Sequence, residues 1–205
     1  MGMTGGLYRA SVDEIRTLVD TPTAIDAFFE ASTWAPPVRE VRAQGMLGWL
    51  MKLSPVRVFE NDPDAEPPPD RPPDRPHCDL EGVWHGLHFL FTGTAWDGHE
   101  PACYLMLGGD EIGDADDLGY SVLHALSPDK VQRFATFLRG LSHEELQRRF
   151  DPARMTELAI DPVQWNDTNE AHTRPIDALL EGYDALRAFV DETAAAHAGA
   201  IVYIT

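Results

Sequence analysis

Two histidines three residues apart, His85 and His88, stand in Trp84-His85-Gly86-Leu87-His88-Phe89-Leu90-Phe91-Thr92-Gly93, the stretch most able to carry chemistry. On a helix, residues at i and i+3 share a face. Both imidazoles could then reach one ion, with Glu81 a turn earlier. Zinc would need a third ligand, such as His99, His124 or a carboxylate from the acidic loop that runs from Asp110 to Asp117. No H-E-x-x-H or comparable ligand motif is present, so no metal and no cofactor is expected. The same histidines could serve as a general base beside one of those carboxylates. Structural histidines, satisfied by hydrogen bonds within a buried helix, are the plainer expectation.

Other catalytic patterns are missing. Gly119-Tyr120-Ser121-Val122-Leu123 lacks the second glycine of a nucleophile elbow. Gly108-Gly109-Asp110-Glu111-Ile112-Gly113 lacks the Lys-Ser/Thr pair of a phosphate loop, and its carboxylates would repel phosphates. Cys78 follows His77 directly, but adjacency in sequence does not make a catalytic dyad. No catalytic residue is assigned. Glu81, Trp84, His85, His88, Asp110 and Tyr120 form the candidate pocket.

The elements that must position these residues can be read from local signals. Leu7 to Ala10 reads as a strand, and Ser11-Val12-Asp13-Glu14 as a capping box opening a helix that Pro22 closes. Helices are expected over Ala24 to Ala31 and Val38 to Leu53, then a strand over Val56 to Phe59. Asp79 stands at an N-cap position before the histidine helix, which ends near Gly93. In that helix Leu80, Val83, Trp84, Leu87, Leu90 and Phe91 share one arc, and Glu81, His85, His88 and Thr92 the opposite one, with Phe89 beside them. A helix with so wide an apolar arc is buried on most of its surface.

Ala102 to Leu107 and Tyr120 to Leu126 read as strands. Ser127-Pro128, Ser142 and Asp151-Pro152 open three further helices. A last helix from Pro175 to His197 is expected to end on Gly199 as its C′ residue, before a strand over Ala200 to Ile204. Eight of the sixteen prolines lie between Pro55 and Pro76, interleaved with acids. Glu66 to Pro76 therefore reads as an extended surface loop, either a plain insertion or a ligand for a proline-reading domain. These elements imply one α+β domain over residues 1–205, a small mixed sheet packed by several helices, with a Pro-rich acidic loop at about 60–78.

The tryptophan–histidine helix resembles the YfbM-like family, a bacterial family of unknown function. Met1-Gly2-Met3 before a strand, Gly108-Gly109 with Ile112-Gly113, Gly119-Tyr120 and Trp165 after Asp161-Pro162 fit the same family. So do Tyr183 in the long last helix and the strand Ile201 to Ile204. The Pro-rich segment departs from the pattern. The resemblance implies an α+β fold in a small cytoplasmic protein, and it carries over no activity.

The 205 residues hold 34 Asp and Glu against 16 Lys and Arg, a formal charge of −18. A nucleic-acid binder needs a cationic footprint, and an anionic membrane surface would repel this chain. Two cysteines are too few for a disulfide framework. No apolar run is long enough to span a bilayer and no secretion signal is visible, so the cytoplasm is expected. The field would speed encounter with a basic protein partner. A non-catalytic binding or protein-interaction role, of immunity or antitoxin type toward such a partner, is the first expectation. The alternative is a small hydrolase-like or metal-assisted enzyme using His85 and His88.

Overall fold

The computed structural model describes residues 3–32, 38–41, 58–61, 74–162, 165–166 and 173–205. The chain divides into two compact units, Met1–Asp26 with Pro76–Thr205, and Ala27–Arg75.

The first unit opens with strand β1 (Gly5–Ala10) and helix α1 (Val12–Asp20). The expected capping box is formed: Ser11 Oγ accepts from the Glu14 amide, and the Glu14 carboxylate accepts from the Ser11 amide at 2.8 Å. A 3-10 turn (Pro22–Ala24) leads into helix α2 (Ile25–Ser32), which continues into the second unit. That unit contains β2 (Val38–Val41) paired antiparallel with β3 (Val58–Asn61). In it Arg75 donates from Nε to Ser32 Oγ at 3.0 Å, and its guanidinium lies 4.4 Å from the Phe28 ring centre. The helix expected over Val38 to Leu53 is therefore corrected at its start, where Val38–Val41 is a strand. Its β-branched valines take up a partner distant in sequence, which helical spacing cannot reveal. The rest of that expected helix, and Glu66 to residue 73 of the Pro-rich loop, lie outside the described residues.

Back in the first unit come β4 (His77–Glu81), α3 (Trp84–Thr92), β5 (Asp110–Glu111) and β6 (Val122–Leu126). Helices α4 (Pro128–Arg139), α5 (His143–Arg149), α6 (Pro152–Glu157) and α7 (Pro175–Ala195) follow, then β7 (Gly199–Ile204). Ser127, Ser142 and Asp151 cap α4, α5 and α6 through side-chain oxygens that accept from backbone amides, as their sequence positions predict.

The sheet runs β4-β1-β7-β6-β5. The α+β class holds, and every strand pairing in this sheet is antiparallel rather than mixed. Leu7, Leu80, Val202, Ile204 and Leu126 point into the main core with α3, α4 and α7. The alternating residues Ala10, Leu123, Ala125 and Ile201 are also buried, on the side where α1 packs. This second face is covered where α1 packs on β7, while His77, Asp79 and Glu81 of β4 are exposed.

Three more expectations are corrected. Asp79 lies within β4 rather than at a helix N-cap, because the exposed–buried alternation of His77–Glu81 is that of a half-buried strand. Residues 102–107 form turns, with the Leu107 amide donating to the Cys103 carbonyl at 2.8 Å. Cys103, Tyr104, Leu105 and Met106 are all buried, and a short apolar run buried on every side looks the same in either conformation. At the end of α7 the left-handed residue is His197 (φ 51°), and Gly199 already belongs to β7.

Candidate functional site

Helix α3 follows a sharp turn after β4, where Glu81 takes φ 42°, and it starts without a side-chain cap. It stops at Gly93, whose left-handed φ of 75° lets its amide donate to the Phe89 carbonyl. Trp84 to Phe91 are all buried, so the apolar surround read from the sequence is complete. Two imidazoles in that surround must find partners or cost stability.

His85 finds them on both nitrogens. Its Nδ1 accepts from the Asp161 amide at 3.0 Å, which fixes the proton on Nε2, and Nε2 donates to the Ala95 carbonyl at 2.9 Å. The ring lies against Trp84, at 4.7 Å with planes 5° apart, and Trp96, at 4.4 Å and tilted 48°, and the two indoles are 6.2 Å from each other. His88 donates from Nε2 to the Asp97 carbonyl at 3.0 Å, and its Nδ1 lone pair has no partner among the described residues. The two rings tie residues 95 and 97 of one loop to the helix. Thr92 and Thr94 complete that loop, with Thr92 Oγ1 donating to the His88 carbonyl at 2.8 Å.

Burial holds both imidazoles below the usual histidine range. His85 is pushed down by desolvation, offset in part by its bond to Ala95 and the charge of Asp161. His88 is pushed down to about 4, again chiefly by desolvation, with His85 adding to the effect. Both rings are therefore neutral near pH 7 and engaged with the backbone.

The other candidate residues have different neighbours. Trp84 stacks on His85 and donates from Nε1 to the Met3 carbonyl at 3.3 Å. Glu81 is exposed at the end of β4, its amide donating to Asp79 Oδ1. Asp110 pairs with Lys130 Nζ at 3.3 Å. The Tyr120 hydroxyl is pushed up by burial and by the nearby Asp26 and Tyr8. So the structure brings together Trp84, His85 and His88 and gives Glu81, Asp110 and Tyr120 other surroundings.

Among the described residues no group of three or more His, Cys, Asp and Glu side chains is placed to hold a metal ion. Of the third ligands considered, His124 donates from Nε2 to the Tyr104 carbonyl at 3.2 Å, and burial pushes it down to about 4. His99 borders a separate cleft of about 390 Å3 with Phe91, Thr92 and Asp97. Both cysteines are free and buried, with Cys78 pushed up to about 12 by desolvation, so neither presents a thiolate.

The sequence reading missed a larger cleft of about 520 Å3, bordered by residues of the 106–115 segment and by Ser121, Val122, Leu123 and His124. Asp110 and Tyr120 are chain neighbours of this border, but neither lines it. Gly109 makes the approach of its loop to β6 possible, because a Cβ there would stand 2.1 Å from His124 Cδ2. Glycine pairs were visible in the sequence, but their place beside β6 depends on pairing across the sheet.

Comparison with known proteins bears on the fold. A family profile described as "Domain of unknown function (DUF1877)" matches residues 1–203. Among solved structures, the crystal structure of YfbM from Escherichia coli, a protein of unknown function, is similar with a TM-score of 0.63. The two chains are 16% identical, and the match covers 98% of this chain and 99% of that one. No curated protein matches the chain. The YfbM-like resemblance read from the tryptophan–histidine helix is thereby borne out. Among the described residues no helix is long and apolar enough to cross a membrane.

Proposed function

We propose that this chain, which belongs to the DUF1877 family of domains of unknown function, acts without catalysis by binding a basic protein partner. The observation that carries this reading is the use of the two histidines. His85 spends both ring nitrogens on backbone groups, and His88 spends Nε2 on another, so each imidazole works as a strut for a loop. A general base must instead present its lone pair to a substrate proton within hydrogen-bond reach. The charge of −18 supports the choice of partner, since a field of that sign accelerates encounter with a cationic surface. An immunity or antitoxin role toward a basic toxin in the cytoplasm is the form this binding takes. The reading treats residues 1–205 as one domain.

One observation favours the other class. The bare Nδ1 of His88 is a buried acceptor that a metal ion or a substrate proton would satisfy. Native mass spectrometry of the protein purified without chelators from its own host separates the two. The expected result is a complex with a protein of opposite charge. An added metal or small-molecule mass that disappears in the His85→Ala/His88→Ala variant would overturn the binding reading.

A further inference from the structure

The 520 Å3 cleft combines two kinds of wall. Met106, Leu107 and Val122 supply apolar surface, and Leu107 is 39% exposed there although it is a large hydrophobic residue. Glu111 and Asp114 supply carboxylates on the same cleft, both exposed and neither in an ion pair among the described residues. The loop that carries them already holds one cation. Lys130 Nζ donates to the Gly108 carbonyl at 2.6 Å and sits 3.3 Å from Asp110 Oδ1, with its side chain only 19% exposed. One of the two lysines of the chain is thus captured by this loop, outside the lining of the cleft. Among the described residues the carboxylates that do line it have no counterion, and Asp114 Oδ1 accepts only from the Asp116 amide at 3.1 Å.

We infer that the cleft receives an arginine or lysine side chain of a partner protein, its stem along Met106, Leu107 and Val122 and its charged head at Glu111 and Asp114. This rests on the binding role proposed above and gives that role a place. Long basic side chains lay their methylenes on apolar surface while the head stays with polar groups. A guanidinium also matches a carboxylate in two parallel hydrogen bonds. The cleft is within the range of about 300–1,000 Å3 typical of ligand sites, roomier than one side chain needs, so flanking residues of the partner would enter with it.

The test titrates the intact protein with a tetra-arginine peptide, following amide resonances by NMR, with tetra-glutamate and free arginine amide as comparisons. The expected result is saturable shifts at Gly113, Ser121 and Val122 with tetra-arginine, the same shifts more weakly with arginine amide, and none with tetra-glutamate. Glu111→Gln/Asp114→Asn should weaken tetra-arginine at least tenfold. Glu144→Gln/Glu181→Gln, which removes equal charge from α5 and α7, should change it less than twofold. Equal loss in both variants would mean diffuse attraction to an acidic surface and would overturn the assignment. So would the absence of shifts around the cleft. A partner complex isolated from the host whose footprint avoids residues 106–124 would remove this site and leave the binding role standing. Absence of any basic partner would remove the role itself.

Discussion

The imidazole of His85 lies flat against the indole of Trp84, its neighbour in sequence, with ring centres 4.7 Å apart and planes 5° apart. Trp84 closes the main core, while His85 faces the loop beyond it and the amide of Asp161. One stacked pair therefore joins the hydrophobic interior to two segments that have no helix or strand of their own at these positions. Four outcomes follow from arrangements of this kind.

Replacing His85 with alanine removes the partners of the Asp161 amide and the Ala95 carbonyl and leaves a space beside two indoles. The variant should lose about 2–4 kcal/mol of stability in urea or guanidinium melts. His88→Ala should lose less, about 1–3 kcal/mol, because only one hydrogen bond goes with the ring. Melts that superpose on the parent would show that the rings do not brace the loop.

Stability should fall as pH drops below the ordinary histidine range. His88 and His124 titrate near 4 in the folded protein and near 6.5 once exposed, and His85 is shifted in the same direction. Between those values the unfolded chain binds more protons than the folded one. The contribution of the neutral rings is then complete above about 6.5 and is lost progressively toward 4. His88 and His124 should each contribute on the order of 1 kcal/mol per pH unit in that window, with His85 acting in the same direction. Urea midpoints at pH 7, 6 and 5 measure the slope, and His124→Gln should reduce it. A flat profile over that range would contradict the assignment of neutral buried rings.

Gly86→Ala should destabilise, against the usual gain of about 1 kcal/mol for this exchange within a helix. A Cβ at Gly86 would come within 2.5 Å of Trp165 Cη2 and 2.6 Å of Leu179 Cδ2. Both neighbours are buried, so the core must give way, at a cost of about 1–3 kcal/mol. A thermal midpoint raised by the substitution would show that α3 and α7 are not in close contact here.

Tyr183→Phe tests how the last helix is fastened to α4. The Tyr183 hydroxyl is directed at the Leu138 and Leu141 carbonyls, at 2.6 and 2.8 Å, in a fully buried position. Losing it takes the hydroxyl from the Leu141 carbonyl, while the Leu138 carbonyl keeps the Leu141 amide at 3.0 Å, and should cost about 1–2 kcal/mol. Calorimetry against the parent protein checks it, and an unchanged midpoint would mean that the hydroxyl adds nothing to the packing of the rings.

What could be read without coordinates was local. Ser11, Ser127, Ser142 and Asp151 announce helix starts because a cap and the amide it serves lie within three residues. The burial of α3 was legible for a similar reason, since its apolar arc is written in a single nonapeptide. Val38–Val41 failed because its partner, Val58–Asn61, is remote in sequence and leaves no periodic trace. The struts from His85 and His88 were foreseen as a need for partners, but the partners are carbonyls and an amide, which no residue type betrays. The cleft beside β6 was hidden for the same cause: Gly109 meets His124 only because β5 pairs with β6.

At the centre of the sheet, β1 pairs along its whole length with β7, Gly5 opposite Ile204 and Ala10 opposite Gly199. On the ribosome, residues 5–10 must wait for this partner until residues 199–204 have been made. Until then β4 has only a half-built neighbour, and β6 has no partner on its β7 side. Between the synthesis of β1 and that of β7 the nascent chain therefore carries exposed strand edges, the condition in which chaperones are recruited and aggregation competes with folding. The β1–β7 pairing joins residues about 190 apart in sequence, from Ala10 to Gly199 at the nearer end, so its closure is correspondingly slow.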